Sequence, residues 1–235
     1  MYSIEKVICF DYYGTLVKLN SPFDQIKALL IDHVTRNFPK LDSKKFYSGF
    51  FKNMAVLNSD EKFYRGIDLL VESLVRTCNL YKVPCFKDIF IPFVEELFIM
   101  PEAYPDARGV IDSLKKSYQV GVLSNADNYI IKKSIQTQDF KFDFIITSED
   151  AQSNKPNEKI FLYAMEKLCK KPNELYMVGD SQIDDILGAG RLGINTIWIN
   201  RDKESLKEGI IPPDFQVLQL SEIPYILNHS CNATS

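Results

Sequence analysis

Two periodicities divide this chain. After residue 104, short apolar runs alternate with stretches of helical spacing, which is what a parallel sheet with crossover helices requires. The runs at 120–123, 144–146, 175–178 and 196–199, joined by 7–10, predict five strands, and the stretches 110–116, 129–136, 159–168 and 184–192 predict the helices between them. The strand candidates are almost wholly apolar, as in Ile8-Cys9-Phe10 and Tyr176-Met177-Val178, so both faces of the sheet should be covered. The expected class is α/β, a doubly wound parallel sheet.

From about Leu19 to Phe98 the pattern changes to apolar residues three and four apart, with no strand signal. Phe23, Ile26, Leu30, Val34 and Phe38 fall on one helical face, preceded by Ser21 as N-cap and Pro22 in the first turn, with Asp24 where the helix dipole favours an anion. A second stripe runs through Ile67, Leu70, Val71, Leu74, Val75 and Cys78. Phe46, Phe50, Met54 and Leu57, then Ile89, Phe93 and Leu97, suggest two more. The expected organisation is a core of residues 1–18 and 99–235 with an all-helical insertion at 19–98, its return marked by Pro101 and Pro105.

Composition adds mostly exclusions. With 46% hydrophobic and 25% charged residues the chain has the make-up of a globular protein, and a net charge of −3 gives no reason to expect nucleic acid or an anionic membrane as partner. No apolar run reaches the roughly 18 to 20 residues of a membrane span, and the start lacks a signal-peptide layout, so a cytoplasmic location is expected. Five scattered cysteines without a CxxC pair suggest neither a disulfide framework nor a zinc site. The sequons at Asn228 and Asn232 are expected to be unused, since such short patterns recur by chance.

The chemistry sits at the predicted strand ends. Asp11 follows the first apolar run and precedes Gly14-Thr15, so its carboxylate should project from the carboxyl edge of the sheet, where open α/β sheets bind ligands. A carboxylate there can attack an electrophilic phosphorus or carbon, or it can simply cap a turn. Ser124 and Asn125 end the next run and offer donors to an oxyanion. Lys155, before Pro156, can pair with a nucleophile and a substrate anion, although most lysines are solvated surface. Gly179-Asp180 ends a fourth run, with Asp184 and Asp185 one turn on, and hard oxygen ligands brought near Asp11 would suit Mg²⁺.

In this order and spacing, the segments around Asp11, Ser124, Lys155 and Asp180 resemble the haloacid dehalogenase superfamily of aspartate-nucleophile hydrolases. The resemblance implies Asp11 as nucleophile, with Gly14, Thr15, Ser124, Asn125 and Lys155 around the substrate anion. It also implies Asp180 as main metal ligand, supported by Asp11, the Tyr13 carbonyl and Asp185 rather than Asp184. Gly-Asp-Ser-Gln-Ile-Asp-Asp-Ile-Leu-Gly-Ala and Thr-Ile-Trp-Ile-Asn-Arg look like the helical-cap subgroup, so the insertion should be a cap that selects substrate.

One position departs from the phosphatase pattern: Tyr13 stands where most of the family's phosphatases carry a second aspartate, the general acid and base. Such assistance is typically worth about 10² to 10⁴ in rate. Tyrosine there is the form of the 2-haloacid dehalogenases, whose halide leaves without a proton. The metal-site acids Asp180, Asp184 and Asp185 point the other way, and Trp198, the only tryptophan, is not in the insertion where a dehalogenase would carry one. The expectation is therefore a Mg²⁺-dependent phosphatase acting on a small phosphorylated metabolite. The alternatives are a 2-haloacid dehalogenase, a carbon–phosphorus hydrolase using a lysine among Lys44, Lys45, Lys52 and Lys62, and a non-catalytic phosphoryl-ligand or protein-binding relative.

Overall fold

A computed structural model describes residues 6–59 and 62–230; Cys231 and the sequon at Asn232 lie outside the described residues. Six parallel strands form one sheet in the order β3-β2-β1-β4-β5-β6. They are β1 (Val7–Phe10), β2 (Gln119–Ser124), β3 (Phe144–Thr147), β4 (Leu175–Gly179), β5 (Asn195–Ile199) and β6 (Phe215–Val217). Five were predicted. The sixth is a three-residue edge strand, Phe215-Gln216-Val217, too short and too mixed in burial to show an apolar run.

Alternation along β1 shows why the sheet is covered twice. Val7 and Cys9 pack with Met177, Ile160, Phe161 and Ala189 on the side of the helix Glu158–Leu168, while Ile8 and Phe10, equally buried, face the other way. Strand order reverses at β1, between β2 and β4, so the crevice outside the carboxyl ends of the strands opens where β1 ends.

The chain divides into two compact units. One contains the sheet: residues up to Lys18, then 102–128 and 135–235; the other comprises 19–101 and 129–134. Within the second lie α1 (Pro22–Asn37), α2 (Ser43–Asn58), α3 (Gly66–Tyr81) and α4 (Lys87–Ile99). Ile26, Leu30 and Val34 of α1 meet Phe46 and Phe50 of α2, Leu70, Leu74 and Cys78 of α3, and Phe90 and Val94 of α4 in one core. His33, half-buried, stacks on Phe86 with centroids 3.9 Å apart, and burial lowers its pKa.

Three local expectations are corrected. Phe23 is 49% exposed and Ile89 also 49%, because each lies one position off the stripe that meets the core; Phe90 and Val94 carry the α4 contact instead. Ser21 occupies the N-cap position of α1 in a left-handed conformation with no side-chain cap, although Pro22 does open the helix. The helix expected at 184–192 is a π-helical turn, Gln182–Leu187, followed by a single short turn, Gly188–Gly190.

Candidate active site

Asp11 is the first residue past β1, and its N–H still pairs with the Val178 carbonyl of β4 at 2.8 Å, which pins its backbone to the sheet. The residue as a whole is 7% exposed. Ser124, closing β2, donates its hydroxyl to Asp11 Oδ1 at 2.9 Å, and Lys155 Nζ donates to the same oxygen at 2.7 Å. Both donors act on the same oxygen, Oδ1.

Lys155 is 4% exposed, the reverse of what a loop lysine usually does. Its ammonium donates to Asp11 Oδ1, to the Leu123 carbonyl at 3.0 Å and to Asp185 Oδ1 at 2.6 Å, so all three protons are used. Burial alone would lower its pKa, but Asp11 and Asp185 more than offset that and hold it charged. Asn125 fixes the lysine's backbone: Nδ2 donates to the Lys155 carbonyl at 3.0 Å and Oδ1 accepts from the Lys155 N–H at 2.7 Å. Both polar ends of this amide thus engage the Lys155 backbone, while the residue also lines the site cavity.

The acidic side of the site grows from β4. Gly179 lacks a side chain because a Cβ there would sit 2.1 Å from Asp185 Oδ2. Asp185 reaches back across that gap, its Oδ2 accepting from the Ser181 N–H at 3.1 Å, and is 1% exposed. The π-helical turn makes this reach possible: the Ile186 N–H bonds to Ser181 O, five residues back, at 3.2 Å, and such turns concentrate at functional sites. Ser181, rather than Asp180, caps it by accepting from the Asp184 N–H at 3.0 Å.

Asp180 stands at the exposed mouth. Thr15 Oγ1 donates to its Oδ1 at 2.8 Å and accepts from its N–H at 3.1 Å, while Trp198 Nε1 donates to its carbonyl at 3.0 Å. Gly14, at φ 92°, lets the turn pass this carboxylate; a Cβ would lie 2.6 Å from Asp180 Oδ2.

Oxygens of Asp11, Asp180 and Asp185 lie within 4.8 Å of one another, and Asp184 is not part of that group. Desolvation, then the charge of Asp11, pushes the Asp180 carboxyl up to about 6; burial and the Asp11 charge also raise that of Asp185, against the pull of Lys155. One ammonium among these carboxylates leaves a net negative charge in a partly dry cleft, and hard oxygen donors so placed are what Mg²⁺ takes. The donor set fits that ion. The cavity they line, with Tyr13 and Ser124, measures about 220 Å³, room for a small anionic group rather than a whole large metabolite.

Tyr13 borders the same cavity. Burial, then the proximity of Tyr12, Asp127 and Asp11, raises its phenol well above the ordinary tyrosine range. A phenol held so firmly neutral is no general base near pH 7. Cys9, directly before the site on β1, has its thiol pushed up to about 12 by burial despite Lys155, so it is no nucleophile either. Asp127 and the Trp198–Asp180 bond were not foreseen; the clue for the latter was one tryptophan on the strand beside β4.

A family model described as haloacid dehalogenase-like hydrolase matches residues 5–193. Among characterised proteins, (S)-2-haloacid dehalogenase 4A of Burkholderia cepacia is 30% identical over 219 residues, covering 91% of each chain. The glyceraldehyde 3-phosphate phosphatase of Pyrococcus furiosus is 27% identical over 205 residues, covering 84% of this chain and 82% of its own. The crystal structure of a 2-haloacid dehalogenase from Pseudomonas syringae superposes with a TM-score of 0.76 at 22% identity, covering 96% of this chain and 99% of that one.

Proposed function

The chain belongs to the haloacid dehalogenase-like hydrolases, and from that premise we propose a Mg²⁺-dependent phosphatase acting on a small phosphorylated metabolite. The observation that carries this reading is the clustering of Asp180 and Asp185 with Asp11, their oxygens within 4.8 Å of one another. Asp11, Asp180 and Asp185, with the Tyr13 carbonyl, would hold the ion, which when bound neutralises phosphoryl charge. Asp11 attacks phosphorus to give an aspartyl-phosphate as the bond to the leaving oxygen breaks; the alkoxide takes its proton from water, and a second water then cleaves the acyl phosphate to release phosphate and free Asp11. Ser124 and Lys155 hold the attacking carboxylate in line through their hydrogen bonds to Asp11 Oδ1. Tyr13, its phenol made a weaker acid by burial, is a poor proton donor, so esters with poor leaving groups turn over slowly.

Tyr13 also supports a second reading, the 2-haloacid dehalogenase. The same Asp11 would then displace halide from carbon and the ester intermediate would be hydrolysed, with the charge of Lys155 offsetting that of the substrate carboxylate. The similarity to a characterised dehalogenase over 91% of the chain favours the same reading.

Calorimetric titration with Mg²⁺, paired with assays on an aryl phosphate and on 2-chloropropionate, separates them. Phosphatase activity that requires Mg²⁺ and disappears in Asp11→Asn supports the first reading. Halide release without metal replaces it with the second. Neither activity, in folded protein, refutes both in favour of a non-catalytic relative.

A further inference from the structure

Arg201, just past β5, is half-buried and has no carboxylate partner among the described residues. Its Nη2 donates to the Thr15 carbonyl at 3.1 Å, its guanidinium lies over the Tyr104 ring at 3.6 Å, and its Nε is buried with no hydrogen-bond partner among the described residues. A guanidinium placed where one N–H goes unsatisfied carries a desolvation penalty, so the contacts it does make have a use. Those contacts converge on one turn. Tyr104, beneath the guanidinium, donates its own N–H to the Leu16 carbonyl at 3.0 Å, one residue past Thr15. Thr15 in turn makes the reciprocal pair with Asp180, whose carbonyl accepts from Trp198, three residues before Arg201.

We propose that Arg201 is a positioning residue: clamped on Tyr104, it sets the height of the Thr15 peptide and thereby aims the Asp180 carboxylate. The segment from Trp198 to Arg201 thus grips both members of the Thr15–Asp180 pair, one by the Asp180 carbonyl and the other by the Thr15 carbonyl. Lysine cannot reproduce this, because an ammonium lacks the planar fork that stacks on a ring and donates sideways at once. The part of the proposal that concerns Mg²⁺ rests on the phosphatase reading; the part that concerns the turn does not.

Two measurements test it in the full chain, on Arg201→Met, Arg201→Lys and Tyr104→Leu, the last leaving the guanidinium in place should the first prove unstable. Amide hydrogen exchange reports the Asp180 N–H, which bonds to Thr15 Oγ1. It is expected to exchange at least about tenfold faster in Arg201→Met, with Ile8 in the central strand unchanged, and by an intermediate amount in Arg201→Lys. Calorimetry is expected to show Mg²⁺ affinity weakened about tenfold in Arg201→Met, with the melting temperature within a few degrees of wild type. Unchanged Asp180 exchange overturns the proposal, as does an unchanged Mg²⁺ affinity in a wild type that binds the ion. If the wild type binds no Mg²⁺, the phosphatase reading fails by itself, and the exchange result still decides for or against the Arg201 clamp.

Discussion

Replacing Lys155 by methionine keeps an unbranched side chain one atom shorter and removes its charge. In the native site the ammonium donates to Asp11 at 2.7 Å, Asp185 at 2.6 Å and the Leu123 carbonyl at 3.0 Å, with 4% of the residue exposed, so screening by solvent is small. Removing one partner of such a buried set costs about 3–5 kcal/mol, because two carboxylates stay behind without a counter-charge. For a chain of this size that corresponds to a fall in melting temperature of roughly 6–20 °C. The loss must depend on pH. The folded carboxyls of Asp180 and Asp185 are raised above the unfolded 3.8, so their favourable contribution is complete below 3.8 and is lost as pH rises through the raised values. Taking Lys155 away raises Asp185 further and extends that window upward. Urea denaturation followed by circular dichroism at pH 8 and pH 5, without Mg²⁺, should therefore show the full penalty at pH 8 and a clearly smaller one at pH 5. Adding Asp185→Asn to Lys155→Met should recover part of the pH 8 loss. A loss below about 1 kcal/mol at pH 8, or the same loss at both pH values, refutes the assignment of Lys155 as counter-charge of this site.

Gly179→Ala places a methyl 2.1 Å from Asp185 Oδ2 and must displace that side chain; a stability loss of about 1–3 kcal/mol is expected by denaturation, with at least a tenfold loss of Mg²⁺ affinity by calorimetry. The Asp180 carboxyl, raised to about 6, holds a proton that Mg²⁺ must displace below that pH, so affinity should fall about tenfold between pH 7.5 and pH 5, with proton release measurable in buffers of different ionisation enthalpy. Tyr13→Asp should raise turnover of alkyl phosphates more than of aryl ones, by at most the roughly 10² to 10⁴ of a positioned acid. No change in alkyl-phosphate turnover, in a folded protein that binds Mg²⁺, would argue against phosphate-ester hydrolysis.

The sheet was legible in the sequence because parallel strands covered on both faces must be apolar throughout, and β1, β2, β3, β4 and β5 carry that requirement in their residues. β6 is three residues long with Gln216 at its centre and only Val217 buried, and so left no trace. Helical spacing located α1 to α4, but it could not choose between adjacent positions such as Ile89 and Phe90, since both fit a broad stripe and only the neighbouring helices decide. At the site, the polar residues at strand ends were visible because the chain returns to the same edge of the sheet each time. How they divide the work was not. Asn125 and Lys155 are 30 residues apart and bond reciprocally, and Arg201 and Thr15 meet across 186. No local pattern encodes such pairs, and a lysine in a loop gives no sign that it will be buried.

The chain leaves the sheet unit and returns to it at almost the same point. Val17 bridges Ala103, the Lys18 N–H bonds to the Glu102 carbonyl at 2.7 Å, and the two side chains pair at 2.7 Å. Everything from Leu19 to Pro101 therefore begins and ends on neighbouring residues, like a cassette between two adjacent splice points. Closing the gap between Lys18 and Glu102 would demand little of the sheet, and so would accepting an insertion of another length. A lineage built this way can exchange the inserted module while the machinery at Asp11 stays untouched. The sheet unit and the inserted unit can then evolve on separate clocks.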